Sequence, residues 1–301
     1  MSKRSSLNQT RKRDMMAGLA FILPGFIGFL LFVLIPVILS LMISFCKWNF
    51  MEGFDAIRFI GLDNFKNMLS DEWFRVSYWN NIVFTAVTIP ILTILGLVLA
   101  NLLNRHVFGG KKAQIMYFIP YIASVVAVCV VWQVLLQPSY GPVNQFLMSI
   151  GIENPPKWLA DLKWALPSIM VVYIWQNVGY FAVVYMSGLK SIPEDVYEAA
   201  SIDGAGTIRQ FFSITVPLVK PTTFFLITMG IIGSFKIFDH ISVMTQGGPG
   251  NATSVMAFYI YRKAFEQYDM GYANALAWAL FVLIFVVTVV QYKMQDKYTN
   301  E

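Results

Sequence analysis

Six stretches of this sequence are apolar over a length that can cross a lipid bilayer, for which a helix needs about 20 residues. The overall composition agrees with a membrane protein. Hydrophobic residues make up 57% of the 301 positions and charged residues 13%, whereas soluble domains hold about 45–50% and about 25%. We therefore expect an all-α integral membrane protein with six transmembrane helices. The predicted spans are residues 17–45, 80–104, 113–136, 164–189, 222–244 and 274–292.

The first apolar stretch follows a basic segment, residues 1–16, as a signal peptide would. It is longer than the apolar core of a signal peptide, which has about 7–15 residues, and no small-residue cleavage site follows it. We interpret the stretch as a retained span. Residues 17–301 are then one transmembrane domain.

The distribution of lysine and arginine indicates the orientation. With a cytoplasmic N-terminus, the inside segments 1–16, 105–112, 190–221 and 293–301 hold 13 of these residues in 65 positions, and the outside segments hold 8 in 90. Cytoplasmic loops of membrane proteins carry such an excess. We therefore predict a multi-pass protein of the cell membrane with both termini in the cytoplasm. The basic residues do not form one face of a soluble domain, so no nucleic-acid partner is expected.

The residues that usually carry catalysis or metal binding are sparse. Cys46 and Cys129 lack metal-ligand spacing; small buried side chains are the favoured interpretation, and a disulfide between them stays open. His106 and His240 are too far apart in sequence to suggest a site. We predict no catalytic residues and no metal site. The sequence also has no phosphate-binding loop of the GxxxxGK[ST] kind, so the chain is not expected to hydrolyse ATP by that route.

The segment EAASIDGAGTIRQFFSITVP, residues 198–217, is polar and rich in turn residues although it lies between two predicted spans. Just before it, Ser191 and Glu194 are spaced as a capping box, which predicts a short helix that runs to about Ile202. Gly204 suits the left-handed residue that follows a helix end. The spacing therefore predicts a capped helix followed by a turn.

A second capping-box pattern, Thr207 to Gln210, predicts another helix, which ends before Pro217. The inside loop 190–221 would then be a helix–turn–helix under the membrane. Such a loop could dock on another protein or could merely connect two spans. Capping boxes are common, so the local pattern alone leaves both possibilities open.

The same segment resembles the EAA motif of ABC importer permeases, which reads EAA, three residues, Gly, nine residues, Ile, any residue, Leu, Pro. Val216 stands where Leu is usual, and it is the one departure. The matching positions are Glu198, Ala199, Ala200, Gly204, Ile214 and Pro217. Residues 190–206, 234–250 and 271–281 further resemble the sugar-uptake branch, which includes the maltose-type permeases. The N-terminal third matches only by its pattern of spans.

This resemblance implies a type I ABC importer permease fold and a set of partners. The first loop helix would be the coupling helix, which docks on a cytoplasmic ATPase dimer. Glu198 would make the charged contact, and the residues that complete the contact and its turn would be Ala199, Ala200, Asp203 and Gly204. ATP would be bound by that ATPase, so this chain would hold no cofactor. A second permease subunit forming a heterodimer, an extracytoplasmic solute-binding protein and a carbohydrate substrate complete the expected assembly.

Polar or small residues recur at helical spacing in two predicted spans. They are Tyr173, Gln176, Asn177 and Tyr180 in the fourth span and Gly230, Gly233, Ser234 and Ile237 in the fifth. Amides are costly against lipid, so they should face protein or a water-filled cavity. Tyrosine rings and amides suit a sugar, and glycines leave room for it. Helix packing would use the same residue types. The resemblance favours a substrate path, because the corresponding faces of maltose-type permeases line the sugar cavity.

Lys236 and Asp239 are charged residues within the predicted fifth span. On a continuous helix their spacing of i, i+3 lets them meet. Asp239 should lie near the outer interface, and Lys236 can extend towards it. We predict an intramembrane ion pair at the mouth of the cavity.

We therefore predict the permease subunit of an ATP-driven, binding-protein-dependent ABC importer for an oligosaccharide or related polyol, working by alternating access. A secondary transporter driven by an ion gradient is the first alternative. It would need acidic residues deep in several spans, and only Asp239 is available. A membrane-embedded enzyme is the second alternative, and it would need clustered His, Asp or Glu at one membrane face.

Overall fold

The computed structural model describes residues 2–104 and 110–299. Residues 105–109, which belong to a predicted inside loop and include His106, lie outside the described residues, as do residue 1 and residues 300–301. The described chain is mainly helical. Its α-helices are α1 (Ser2–Phe29), α2 (Ile35–Ser44), α3 (Asp63–Ser70), α4 (Glu72–Asn104), α5 (Gly110–Ile122), α6 (Val125–Leu135), α7 (Pro142–Ser149), α8 (Ala165–Lys190), α9 (Glu194–Ile202), α10 (Thr207–Gln210), α11 (Val216–Leu218), α12 (Lys220–Phe235), α13 (Asp239–Met244), α14 (Met256–Tyr261) and α15 (Met270–Thr299).

Shorter turns of other helix types join several of these elements. π-helical turns cover Leu30–Leu34, Phe211–Thr215 and Arg262–Glu266, and 3-10 turns cover Phe50–Glu52, Phe54–Ala56 and Trp158–Ala160. The π turn at 30–34 continues α1 into α2 without a break in helical backbone.

Four helical stretches are long and apolar enough to cross a membrane. They are Asp14–Ser44, Glu72–Leu103, Ala165–Lys190 and Met270–Lys293. Two further candidates are bent pairs of helices: α5 and α6 meet at 93°, and the helical stretch Thr207–Leu218 meets α12 at 65°. The structure thus supports four to six crossings, where the sequence predicted six continuous spans.

The predicted third and fifth spans are not continuous helices. Between α5 and α6, Ser124 has an extended ψ of 124°, which turns the chain. The predicted fifth span, 222–244, also ends early. Helix α12 stops at Phe235, and Phe238, with φ −133° and ψ −55°, separates it from α13.

The chain divides into two compact units. The first consists of Met1–Lys66 and Lys263–Trp278. In it, strands β1 (Cys46–Lys47) and β2 (Arg58–Phe59) form a small antiparallel hairpin. The amide of Asn64 donates to the carbonyl oxygens of Ser44 and Cys46, both at 2.9 Å, and so fixes the end of α2 to the hairpin.

The second unit consists of Asn67–Arg262 and Ala279–Glu301. Two glycines permit the close packing around α8. A Cβ on Gly179 would lie 1.8 Å from the carbonyl oxygen of Tyr117 in α5, and a Cβ on Gly96 of α4 would lie 2.6 Å from the Cβ of Phe181 in α8. Helices α4, α5 and α8 therefore pack backbone to backbone, which brings the polar face of α8 to a fixed position.

The two cysteines are both free thiols. Cys129 is fully buried among the apolar residues of α6 and its neighbours. Of the two interpretations of the cysteines, the structure supports small buried side chains for Cys129 and shows no disulfide.

Candidate substrate cavity and coupling hairpin

A cavity of about 230 Å³ opens where α5, α6, α8 and the break between α12 and α13 meet. We call it the central cavity. Aromatic, amide and charged groups share its wall. It is lined by Tyr121, Val125, Tyr173, Gln176, Asn177, Gly233, Lys236, Ile237, Phe238, Asp239 and His240. Five of the eight residues predicted for a substrate path therefore line one cavity.

The amides of α8 are held in different ways. Gln176 is 2% exposed, and its Oε1 lies 2.8 Å from Nε2 of His240. Asn177 donates from Nδ2 to the carbonyl of Tyr173 in its own helix at 2.8 Å. Gln176 is thus fixed by another element, whereas the side chain of Asn177 bonds only locally.

Aromatic rings form one side of the site. Tyr173 meets His240 edge to face, with ring centroids 5.4 Å apart. Tyr180 does not line the cavity itself but stacks on Tyr121, with centroids 4.7 Å apart and planes inclined by 16°. Tyr121 is 40% exposed and presents its ring to the cavity.

The remaining two candidates of the fifth span lie in helix contacts. A Cβ on Gly230 would be 3.0 Å from Ile89, so this glycine packs against α4. Ser234 is fully buried, and its hydroxyl lies 2.8 Å from that of Thr85. Gly233, by contrast, faces the cavity, where its Cβ position is 3.7 Å from the hydroxyl of Tyr173. Whether any of these residues contacts a substrate stays a prediction.

The predicted ion pair between Lys236 and Asp239, both described by the structure, is not formed. The prediction assumed a continuous helix, but α12 ends before Lys236 and α13 begins at Asp239. Both charged side chains are exposed and line the central cavity instead. A cation and a carboxylate are therefore available to a molecule in the cavity.

Sequence reasoning missed His240 and Tyr121. His240 was dismissed for its distance from the other histidine, yet it bonds to Gln176, which is 64 positions away. A polar residue directly beside Asp239 in an apolar stretch was the available signal. No pattern of residues indicated Tyr121, because its position depends on the 93° bend between α5 and α6.

Within the described ranges, no three side chains of His, Cys, Asp or Glu are arranged to hold a metal ion.

Residues 194–218 form a second feature, which we call the coupling hairpin. It consists of α9, a turn at 203–206 and the helical stretch Thr207–Leu218. The end of α9 is as predicted: Gly204 has φ +78°, and the N–H groups of Gly204 and Ala205 bond to the carbonyls of Ser201 and Ala200. This pair of bonds is the Schellman arrangement of a helix C-terminus.

Neither predicted capping box is formed. Helix α9 begins at Glu194 after Pro193, and the Ser191 hydroxyl bonds back to the Gly188 carbonyl at 2.6 Å. Similarly, Thr207 follows Gly206 without a side-chain cap. In the first case the serine hydroxyl donates to a carbonyl of the preceding helix, and in the second the residue before the helix is a glycine, which has no side chain to act as a cap.

The second helix of the hairpin also runs further than predicted. It does not end before Pro217 but passes through a π turn at 211–215 and continues to Leu218. The outer face of the hairpin is open to solvent in this chain: Glu198, Ala199, Asp203 and Gly204 are exposed, and Ala200 is half-buried. Their contact with an ATPase remains a prediction.

Comparison with known proteins agrees with this architecture. Residues 79–299 match the family described as "Binding-protein-dependent transport system inner membrane component". The chain is 33% identical to the probable ABC transporter permease protein YurN of Bacillus subtilis, over 91% of this chain and 94% of that protein. It is 31% identical to the trehalose/maltose transport system permease protein MalF of Thermococcus litoralis, over 95% and 96%.

A solved structure is similar over almost the whole chain. It is that of a bacterial ABC transporter involved in the import of the acidic polysaccharide alginate. The TM-score is 0.84 at 25% sequence identity, with 97% of this chain and 99% of that chain covered.

Proposed function

The chain belongs to the family of binding-protein-dependent transport system inner membrane components, and we propose that it forms the substrate path of an ATP-driven importer for an oligosaccharide or related carbohydrate. The observation that carries this proposal is the central cavity, which joins the α8 stripe to Lys236 and Asp239 at the break between α12 and α13. Relatives named for trehalose and maltose and for alginate support a carbohydrate.

The chemistry of the cavity wall suits a sugar. Hydroxyl groups need both donors and acceptors, and Lys236, Asn177 and Asp239 offer both within one cavity. Tyrosine rings such as Tyr121 and Tyr173 can cover the apolar faces of a sugar ring. A wall of this kind fixes the orientation of a ligand through few polar groups.

The size of the cavity supports a second permease subunit. Its volume of about 230 Å³ is below the roughly 300–1,000 Å³ of complete ligand pockets. A second, different permease subunit would supply the rest of the wall and make the transporter a heterodimer. A solute-binding protein outside the membrane would deliver the sugar.

The energy would come from a separate cytoplasmic ATPase dimer, on which ATP is bound and hydrolysed. Two observations support a separate ATPase: the outer face of the coupling hairpin is exposed, and its residues match the EAA motif. Glu198 would make the charged contact. In this arrangement the hairpin lies in the cytoplasm, and both chain termini lie on that side of the cell membrane.

The orientation can be tested by labelling from one side. In a variant in which Cys46 and Cys129 are replaced, a cysteine at Asn251 should react with a membrane-impermeant maleimide in intact cells. A cysteine at Ile208, which is 75% exposed in α10, should react only after the cells are permeabilised. The opposite pattern would reverse the proposed topology.

ATP-driven import can be tested against transport driven by an ion gradient. The chain is reconstituted into liposomes with its partner permease and ATPase, and uptake of a labelled oligosaccharide is measured with the binding protein present. We expect uptake that requires hydrolysable ATP and persists when ionophores dissipate the proton and sodium gradients. Uptake that persists without the ATPase and stops with ionophores would support the secondary transporter instead.

A further inference from the structure

Two side-chain hydrogen bonds join the two helices of the coupling hairpin. The Tyr197 hydroxyl of α9 lies 3.0 Å from the Thr215 hydroxyl in the π turn. The Gln210 amide donates to the Ser201 hydroxyl at 2.9 Å and to the Ala205 carbonyl at 3.0 Å. One bond lies near the middle of α9 and the other lies at its end, so together they restrict rotation between the helices.

Two of the side chains in these bonds are buried although the hairpin itself is largely exposed, whereas Tyr197 is half-buried and Ser201 is exposed. Thr215 is 0% exposed and Gln210 is 8% exposed. Losing the Tyr197 hydroxyl would therefore leave the buried Thr215 hydroxyl without this partner, and losing the Gln210 amide would free the exposed Ser201 hydroxyl from α10.

Packing supplies little restraint on one side of these bonds. A cavity of about 470 Å³ lies behind the hairpin, and both Tyr197 and Gln210 line it, together with Asn101 of α4 and Lys190 of α8. On this side the two polar links restrain α9 without such packing, in addition to the contact of Tyr197 with the apolar cluster of α4 and α8.

From Thr215 the hydrogen bonding continues across the bend into α12. The Val219 N–H bonds to the Thr215 carbonyl at 3.1 Å, and the Thr223 hydroxyl bonds to the Val219 carbonyl at 3.0 Å. Tyr185 of α8 then donates to the Thr223 hydroxyl at 3.0 Å. The links reach both α12 and α8, the two helices that carry the predicted substrate stripes.

We propose that Tyr197 and Gln210 are positioning residues that make the coupling hairpin one rigid body, so that a displacement of α9 is passed through Val219 to α12. This inference rests on the proposed function, in which α9 receives the movement of an ATPase. Without the two links, α9 would rotate on the 203–206 turn and dissipate that movement. A packed chain of bonds with a single bend is the kind of element that can carry such coupling.

The test compares variants that remove one hydroxyl or amide while keeping the shape of the side chain. Tyr197→Phe, Thr215→Val and their combination are reconstituted in the full transporter, and the amount of sugar imported per ATP hydrolysed is measured. We expect the ratio to fall about two- to tenfold, the range for one neutral hydrogen bond. The double variant should be no worse than the worse single variant, because both remove the same bond.

Two controls separate positioning from simple structural damage. Thr215→Ser retains the hydroxyl and should retain the wild-type ratio, and Ser191→Ala removes an exposed hydroxyl outside the hairpin. The amount of ATPase that copurifies should be unchanged in Tyr197→Phe and in Gln210→Leu. An unchanged import ratio, a Thr215→Ser ratio as low as that of Thr215→Val, or a loss of ATPase binding equal to the loss of import would overturn the proposal.

A second measurement does not depend on transport. Amide hydrogen exchange of α9 in the purified chain should be faster in Tyr197→Phe and Gln210→Leu than in the wild type and unchanged in Ser191→Ala. Equal exchange in all four proteins would overturn the rigid hairpin. If the wild-type chain shows protected α9 amides but never imports sugar with an ATPase, the proposed function fails while the rigid hairpin stands.

Discussion

The first and fourth predicted spans differ in hydropathy and in burial, and the more apolar of the two is the less buried. The stretch Asp14–Ser44 has a mean hydropathy of 2.9, and none of its most apolar part is buried within the chain. Helix α8, Ala165–Lys190, has a mean hydropathy of only 1.5, and half of the corresponding part is buried. The less apolar helix is thus the one surrounded by protein.

The reason for this difference is the solvent of each helix. A helix that faces lipid must be apolar all round, because unsatisfied polar groups are costly there. A helix surrounded by protein can carry amides and tyrosines if other elements satisfy them, as His240 does for Gln176. In a membrane protein, low hydropathy within a span therefore indicates where a site lies.

The largest difference in stability between variants of the two spans is expected when a glycine is replaced by alanine. Gly179→Ala places a methyl group against the Tyr117 backbone, and we expect a loss of about 3 kcal/mol or more, since backbone overlap cannot be relieved by a rotamer change. Gly25→Ala in α1 has nothing within 4 Å and should be neutral or stabilising. Thermal stability of the purified chain in detergent measures both. Equal stability of the two variants would contradict the packing of α5 on α8.

A smaller difference in stability is expected when a buried polar residue of α8 and an exposed residue of α1 are each replaced by leucine. Gln176→Leu leaves the ring of His240, which is 6% exposed, without its partner, and should lower the free energy of unfolding by about 1–3 kcal/mol. Phe21→Leu, at a position 88% exposed, should change it by less than about 0.5 kcal/mol. The measurement is unfolding monitored by tryptophan fluorescence. If Gln176→Leu proves neutral, the buried amide contributes no stability, which would contradict the stated difference between α8 and the first span.

The smallest effect on stability is expected at Asn177, which bonds only to its own helix. Asn177→Ala should change stability by less than about 0.5 kcal/mol. It should raise the KM for sugar uptake about five- to tenfold, as expected for one lost hydrogen bond to a ligand. Uptake kinetics in proteoliposomes distinguish the two roles. Unchanged kinetics for both Asn177→Ala and Tyr180→Ala would assign the stripe to packing.

Much of the fold follows from hydropathy, and the departures have local physical causes. The candidate spans Ala165–Lys190 and Met270–Lys293 lie within a few residues of the predicted ones, because a long apolar run has few alternatives in a membrane. The breaks at Ser124 and Phe238 have no proline or glycine at the broken position itself; Pro120 precedes the first break by four residues, and Gly233 precedes the second by five. They depend on tertiary contacts, which a pattern of apolar residues does not contain.

The turn and the helix starts of the coupling hairpin show the same limit of prediction from sequence. Gly204 was predictable because few other residues adopt its φ of +78°. The capping boxes were not, because α9 begins at Glu194 after Pro193 and not after Ser191, and because the Gln210 amide bonds across the hairpin. A short polar side chain has several possible partners, and the fold selects among them.

The central claim is that movement enters this chain at the outer face of the coupling hairpin, and reversing the charge of Glu198 tests it most directly. The measurement is ATP-dependent sugar uptake by the Glu198→Lys transporter, with Glu153→Lys, an exposed charge in a predicted outside loop, as the matched control. We expect uptake at or below about a tenth of wild type in Glu198→Lys, since like charges across an interface cost several kcal/mol, and near wild-type uptake in Glu153→Lys. Wild-type uptake by Glu198→Lys, in a chain that inserts normally, would contradict the account.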